Sequence, residues 1–186
     1  TTLNASGTAY KVKPVSLTLG GSNANNYILT DVGSTAGNHI VTPKTLTATL
    51  INSTSKVYDG NTAATLTSSN YSLSGFVGGQ GATVTETAGT YDTANAGTGK
   101  TVTATLASND FTANGGTLLS NYTLPTTASG AIGEITRKAI TITGVGANDK
   151  FYDGTTAATA NGTAMVNGLV GGETLGVTAG TLAFAS

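Results

Sequence analysis

The chain of 186 residues contains no cysteine, no tryptophan, one histidine, one methionine and three prolines. Without cysteine there is no disulfide and no thiolate-bound metal. The single histidine, His39, excludes a His-paired hydrolase triad in two copies. It also makes a histidine-based metal site a poor fit, so a surface or turn position is the simpler reading. Charge is scarce too. Charged residues make up 9% of the chain and the formal net charge is −1, against roughly 25% charged in an average soluble protein. The eight Lys and Arg never cluster, so the concentrated basic surface that phosphate binding needs is missing. No apolar run approaches the roughly 18 residues of a membrane-spanning helix. No basic-then-apolar signal segment opens the sequence. We expect neither a nucleic-acid partner nor membrane insertion.

What fills the chain instead is threonine, with 38 residues, and glycine, with 26. Threonine is β-branched and suits a half-exposed strand, methyl inward and hydroxyl outward. The composition reads as all-β with uncharged, hydroxyl-rich outer faces. "LTATLI" (46–51), "ATVTET" (82–87), "TVTATLA" (101–107), "NYTLP" (121–125) and "AITIT" (139–143) alternate apolar and hydroxyl side chains, or nearly so. Glycine- and asparagine-rich breakers separate them. No window predicts a helix; "TAATLTSS" (62–69) allows one turn at most. The expected core includes Leu46, Leu50, Tyr58, Leu66, Val84, Val102, Leu106, Tyr122, Leu124 and Ile135.

The chain repeats itself. "KVYDGNTAAT" at 56–65 and "KFYDGTTAAT" at 150–159 agree at eight of ten positions, 94 residues apart. "GFVGG" (75–79) pairs with "GLVGG" (168–172), "TAGT" (87–90) with "TAGT" (178–181), "EITRK" (134–138) with "IVTPK" (40–44), and "SNYTL" (120–124) with "NNYIL" (25–29). A period near 93 is too long for a solenoid coil and suits a small autonomous β-domain. By this phase, residues 1–43 are the back of a preceding repeat, 44–137 a complete repeat and 138–186 the front of a following one. The expected architecture is tandem, Ig-like β-sandwich modules forming an elongated array, with β-grasp-like modules as the alternative.

In the doubled motif, Asp-Gly is a turn signature: Asp bonds nearby N–H groups and Gly accepts positive φ. Asp59 and Asp153 are expected to hold turns, with Gly60 and Gly154 at positive φ. Tyr58 and Tyr152 are expected to pack on the core edge, their hydroxyls aimed at a backbone acceptor. The motif brings no His, Cys or second carboxylate, so it reads as structural rather than as an acid–base site.

The ordered set Lys-x-Tyr-Asp-Gly-x-Thr-Ala-Ala-Thr, Gly-[Phe/Leu]-Val-Gly-Gly, Asn-Ala-Gly-Thr-Gly-Lys-Thr-Val, Ser-Asn-Tyr-x-Leu and Ile-Thr-x-Lys resembles the YDG repeat of bacterial surface adhesins. That family includes very large filamentous haemagglutinin-like exoproteins, often exported through a two-partner secretion pore. The resemblance covers essentially the whole chain in shifted phase. It implies tandem β-rich modules at or near a bacterial surface, secreted or cell-attached, acting as stalk or adhesive repeats. It supplies no catalytic residue. Neighbouring repeats are the implied partners, and a glycan, a matrix polymer or a host surface would be the ligand of a directly adhesive module.

Other motifs are weaker. "AGTGKT" (96–101) lacks the first P-loop glycine, since Ala94 stands there, and a strand rather than a helix follows. "STSK" (53–56) has the Ser-x-x-Lys spacing but not its companion motifs. Asp31, Asp59, Asp92, Asp110, Asp149 and Asp153 never form an alternating calcium loop. We therefore expect no catalytic, cofactor or metal residues and no enzymatic activity. Inter-module calcium is the one cofactor the sequence leaves open.

Overall fold

The structure, a computed structural model, describes residues 3–12, 17–29, 35–178 and 180–185. Asp31 falls outside them. The described residues form β-strands and short 3-10 turns, with no α-helix. The all-β expectation therefore holds, and the helix that a β-grasp module needs is absent from the described residues.

In chain order the strands are β1 (Ser6–Val12) and β2 (Thr35–Val41), then β3 (Lys44–Thr45), β4 (Thr47–Leu50), β5 (Thr54–Val57), β6 (Ala63–Thr65), β7 (Tyr71–Ser74), β8 (Gly81–Val84), β9 (Ala88–Tyr91), β10 (Gly97–Thr105), β11 (Phe111–Asn114), β12 (Tyr122–Thr123) and β13 (Thr127–Thr136). The last stretch carries the shorter β14 (Thr141–Thr143), β15 (Gly146–Ala147), β16 (Ala157–Ala158), β17 (Ala160–Asn161), β18 (Met165–Asn167) and β19 (Leu182–Ala183). They fall into two compact units.

The first unit comprises Thr1–Ile51, Thr67–Thr87 and Ala104–Ser129. Here β1 pairs antiparallel with β2, β4 with β7, and β8 with β11. β3 runs parallel to β12, and the start of β13 parallel to β4. Its core is Leu46, Leu50, Tyr71, Val84, Ala104, Leu106, Phe111, Tyr122 and Ala128. One local device recurs. The 3-10 turns Ala24–Asn26, Ser68–Asn70, Ser108–Asp110 and Leu119–Asn121 each run straight into an aromatic residue: Tyr27, Tyr71, Phe111 and Tyr122. The third turn residue closes two of them. Thr67 N–H donates to Asn70 Oδ1 at 2.9 Å and Ala107 N–H to Asp110 Oδ2 at 2.7 Å. Asn and Asp are suited to this, since they bond nearby backbone as readily as a helix would. The following ring is buried in the last three turns and exposed at Tyr27.

The second unit comprises Asn52–Leu66, Ala88–Thr103 and Gly130–Ser186. Its sheet runs β6, β9, β10, β13, and β5 lies parallel to the end of β13, with Gly133 opposite Thr54 and Thr136 opposite Val57. Its core is Ala64, Leu66, Tyr91, Val102 and Ile135. The pairs β14–β18, β15–β17 and β16–β19 are antiparallel ribbons. No described residue of 138–185 is buried.

Eight of the ten expected core residues are buried; Tyr58 and Leu124 are only half-buried. Tyr58 lies one residue past β5, where the chain turns outward. Leu124 lies in the irregular link between β12 and β13. The sequence reading missed Tyr71, Tyr91 and Phe111, each at the start or end of a strand rather than inside an alternating run.

Candidate functional site

The doubled motif builds the same turn twice. In the first copy Gly60 has φ 79° and in the second Gly154 has φ 75°, the left-handed conformation in which a side chain is strained. Asp59 Oδ1 accepts from Asn61 N–H at 3.1 Å, and Asp153 Oδ1 from Thr155 N–H at 2.9 Å. The lysine three residues before each Asp crosses the turn. Lys56 Nζ donates to Asp59 Oδ1, Asn61 O and Asn61 Oδ1, each at 2.7 Å. Lys150 Nζ donates to Asp153 Oδ1 and Thr155 O at 2.8 Å and to Thr155 Oγ1 at 3.0 Å. Each ammonium also stands over a ring, Lys56 5.6 Å from the Tyr91 centroid and Lys150 5.9 Å from that of Phe184. Such a contact contributes about 0.5–1 kcal/mol at a surface. The hydrogen bond from its lysine is the main reason that the carboxyls of Asp59 and Asp153 are held below their ordinary value.

The backbone confirms which residues correspond. Tyr91 N–H donates to Thr62 O, and Phe184 N–H to Thr156 O, both at 2.8 Å. Phe184 is therefore the counterpart of Tyr91, at an offset of 93. The "TAGT" match, with its offset of 91, points instead to Leu182; two residues are gained before the second ring.

The tyrosines of the two copies differ. Tyr58 N–H donates to Thr136 O of β13 at 2.9 Å. Its hydroxyl donates to the carboxylate of Glu173, not to a backbone acceptor as the sequence suggested. That bond is the first cause of the raised pKa of the Tyr58 phenol, with desolvation second. Tyr152 does not pack on a core edge; it is 97% exposed. β5 and Tyr58 are covered by β13, whereas among the described residues no strand pairs with 148–153.

Tyr58 and Glu173 line a cleft of about 360 Å³ in the second unit, with Arg137, Lys138, Val170 and Leu175 among its walls. Gly60 fits against it because a Cβ there would stand 3.0 Å from Val170 Cγ1. The residues from "GLVGGE" (168–173) thus receive the first motif. The cleft offers an apolar wall, two cations and one tyrosine–glutamate pair, which can bind or position a group. A nucleophile with an adjacent base is not among the residues named.

In "AGTGKT", β10 begins at Gly97. Lys100 is buried, donates to Thr93 Oγ1 at 2.5 Å and sits 3.2 Å from Asp92. Lys56 of "STSK" is committed to the turn. His39 lies exposed on β2, opposite Tyr10. Among the described residues no three His, Cys, Asp or Glu converge as a metal site.

A β-rich chain carrying two copies of one locked turn is built on a repeat. The profile of the YDG domain family matches residues 42–129 and again 136–186, and the chain belongs to that family. No curated protein and no solved structure matches it.

Proposed function

We propose that the chain is a stalk repeat of a large bacterial surface adhesin, secreted or held at the cell surface. In this reading complete repeats close as small Ig-like β-sandwiches, joined in tandem into an extended array. The observation that carries it is the seat of the first motif on the GLVGGE loop (168–173) that follows the second. Tyr58 bonds Glu173, and Gly60 leaves room for Val170. A contact made by the repeated motif itself, onto a loop that is also repeated, can propagate from each repeat to the next. Neighbouring repeats are then the principal partners, the module is not an enzyme, and no cofactor enters the role.

The test is scattering from fragments carrying increasing numbers of repeats. The maximum dimension should grow linearly with repeat number. Growth near the square root would mean flexible linkers and would reject the stalk. Tight, specific binding on a glycan array would favour the alternative, direct adhesion to a glycan or matrix polymer.

A further inference from the structure

We propose that the complete repeat, residues 44–137, is a tension clamp. The segment by which the chain enters it and the segment by which the chain leaves it lie side by side as parallel strands. A pull along the chain therefore loads their hydrogen bonds in shear. The proposal deepens the stalk reading and rests on it for the source of the load; the clamp itself rests on strand directions within the repeat.

The chain enters through β3, β4 and β5 and leaves through β12 and β13. In the first unit Lys44 lies opposite Tyr122, Thr45 opposite Thr123 and Thr49 opposite Ser129, all in parallel register. Leu46 N–H donates to Thr123 O at 3.0 Å. In the second unit Thr54–Val57 run parallel to Gly133–Thr136. Tyr58 N–H donates to Thr136 O at 2.9 Å, and Thr136 Oγ1 donates to Lys56 O at 3.3 Å. The entering and leaving segments thus meet in the same sense within each unit.

Direction decides what a pull does. Tension draws residue 44 backward along the chain and residue 137 forward. Between parallel strands these two pulls oppose each other along the strand axis. The evenly spaced bonds of a parallel ladder then share the load and must fail together. Between antiparallel strands pulled apart at one shared end, the bonds open one at a time. The pairs β4–β7, β6–β9, β9–β10 and β8–β11 are of that second kind. Sliding is also opposed from beneath. Leu46 and Leu50 of the entering segment and Tyr122, Ala128 and Ile135 of the leaving one are buried. A slip of one residue would turn each strand's apolar side chains to the opposite face, and a close-packed interior has no room for a partial slip.

The experiment pulls single molecules of the full 186-residue chain in two directions by optical tweezers. The chain has no cysteine, so introduced pairs at exposed positions give unique handles. Thr42→Cys with Lys138→Cys loads the parallel ladders in shear. Gly78→Cys with Ala113→Cys loads the β8–β11 ribbon from the end where Gly81 faces Asn114. The force of first rupture reads the unfolding barrier, and it should be at least about twofold higher in the first direction. In that direction Tyr58→Pro, which lacks the N–H that meets Thr136 O, should rupture at lower force than Tyr58→Ala, which keeps it. In the second direction the two variants should match. Equal forces in the two directions, or a lower force between 42 and 138, overturn the clamp. So does a Tyr58→Pro chain that holds as firmly as Tyr58→Ala. Flexible linkers seen by scattering would leave these forces unchanged, so the stalk and the clamp fail separately.

Discussion

Replacing Gly133 by alanine adds one methyl group at the centre of the second unit, and the sign of its effect separates two arguments. Alanine in a strand is ordinarily favoured over glycine by roughly 0.5–1 kcal/mol, because glycine has more freedom to lose on folding. Packing opposes this. The new Cβ would meet Tyr91 Cε1 at 2.5 Å, Tyr91 Cδ1 at 2.8 Å and Val102 Cγ2 at 2.9 Å, where carbon contacts are comfortable near about 3.5–4.0 Å. Tyr91 is 2% exposed and its hydroxyl reaches Thr54 O and Glu134 O at 3.3 and 3.4 Å, so the ring cannot step aside without loosening both. Val102 is fully buried. Overpacking of this kind costs roughly 1–3 kcal/mol, which leaves a net loss of up to about 2.5 kcal/mol after the alanine gain. Thermal unfolding followed by circular dichroism should show Tm lower by up to about 10 °C, at the roughly 2–4 °C per kcal/mol of a chain this size. In a Tyr91→Leu background the penalty should shrink by half or more, because the two closest of the three clashing atoms are gone and only Val102 Cγ2 remains. A raised Tm for Gly133→Ala would refute the reasoning and show that the ring has room to move.

Three further outcomes follow from the same geometry. Tyr71 is buried, and its hydroxyl has no hydrogen-bond partner. Tyr71→Phe should therefore stabilise the chain by about 1 kcal/mol in urea unfolding, the lower end of the penalty for an unsatisfied buried group. Burial, with help from Glu86 and Asp110, pushes the Tyr71 phenol from 10.0 up to about 12. A raised folded pKa gives stability that is whole below the unfolded value and lost as pH rises through the folded one. The wild type should accordingly lose stability between pH 10 and about 12 more steeply than Tyr71→Phe. At the low end, Asp59, Asp92 and Asp153 are all held below the ordinary 3.8. Lowered carboxyls stabilise above the unfolded value and stop doing so as pH falls through the folded one. Stability should hold above 3.8 and drop below it, and Lys56→Met should flatten that drop in an acid titration by removing the chief partner of Asp59. Last, Gly60→Val should cost at least about 1 kcal/mol from backbone strain, read as a lower urea midpoint. Gly60→Ala, with the same φ demand but a smaller side chain against Val170, should cost less.

How far the chain could be read without coordinates varied with the reach of the interaction. The two Asp-Gly turns were legible because their parts lie within six residues: the lysine, the aspartate, the glycine and the Asn or Thr that closes them. Such a turn forms from local hydrogen bonds alone, and so both copies make it although only one is covered. Alternating strands were legible for the same reason. β10, for example, buries Lys100, Val102 and Ala104 in strict alternation. The rings of Tyr71, Tyr91 and Phe111 were missed because each sits at a strand end, where no periodicity marks it. The Tyr58–Glu173 bond was illegible, since its partners stand 115 residues apart.

The chain by itself determined its all-β character, its repeat of about 93 residues, its strand-forming segments and its two locked turns. These depend on threonine's branched Cβ, on glycine's tolerance of positive φ and on contacts a few residues long. Tertiary structure decided the rest. It set which turn is covered and which is bare, which glycine leaves room for a ring, and which tyrosine meets a carboxylate. The same ten-residue motif gives a half-buried Tyr58 and an exposed Tyr152 because burial belongs to the neighbour, here β13, and not to the residue.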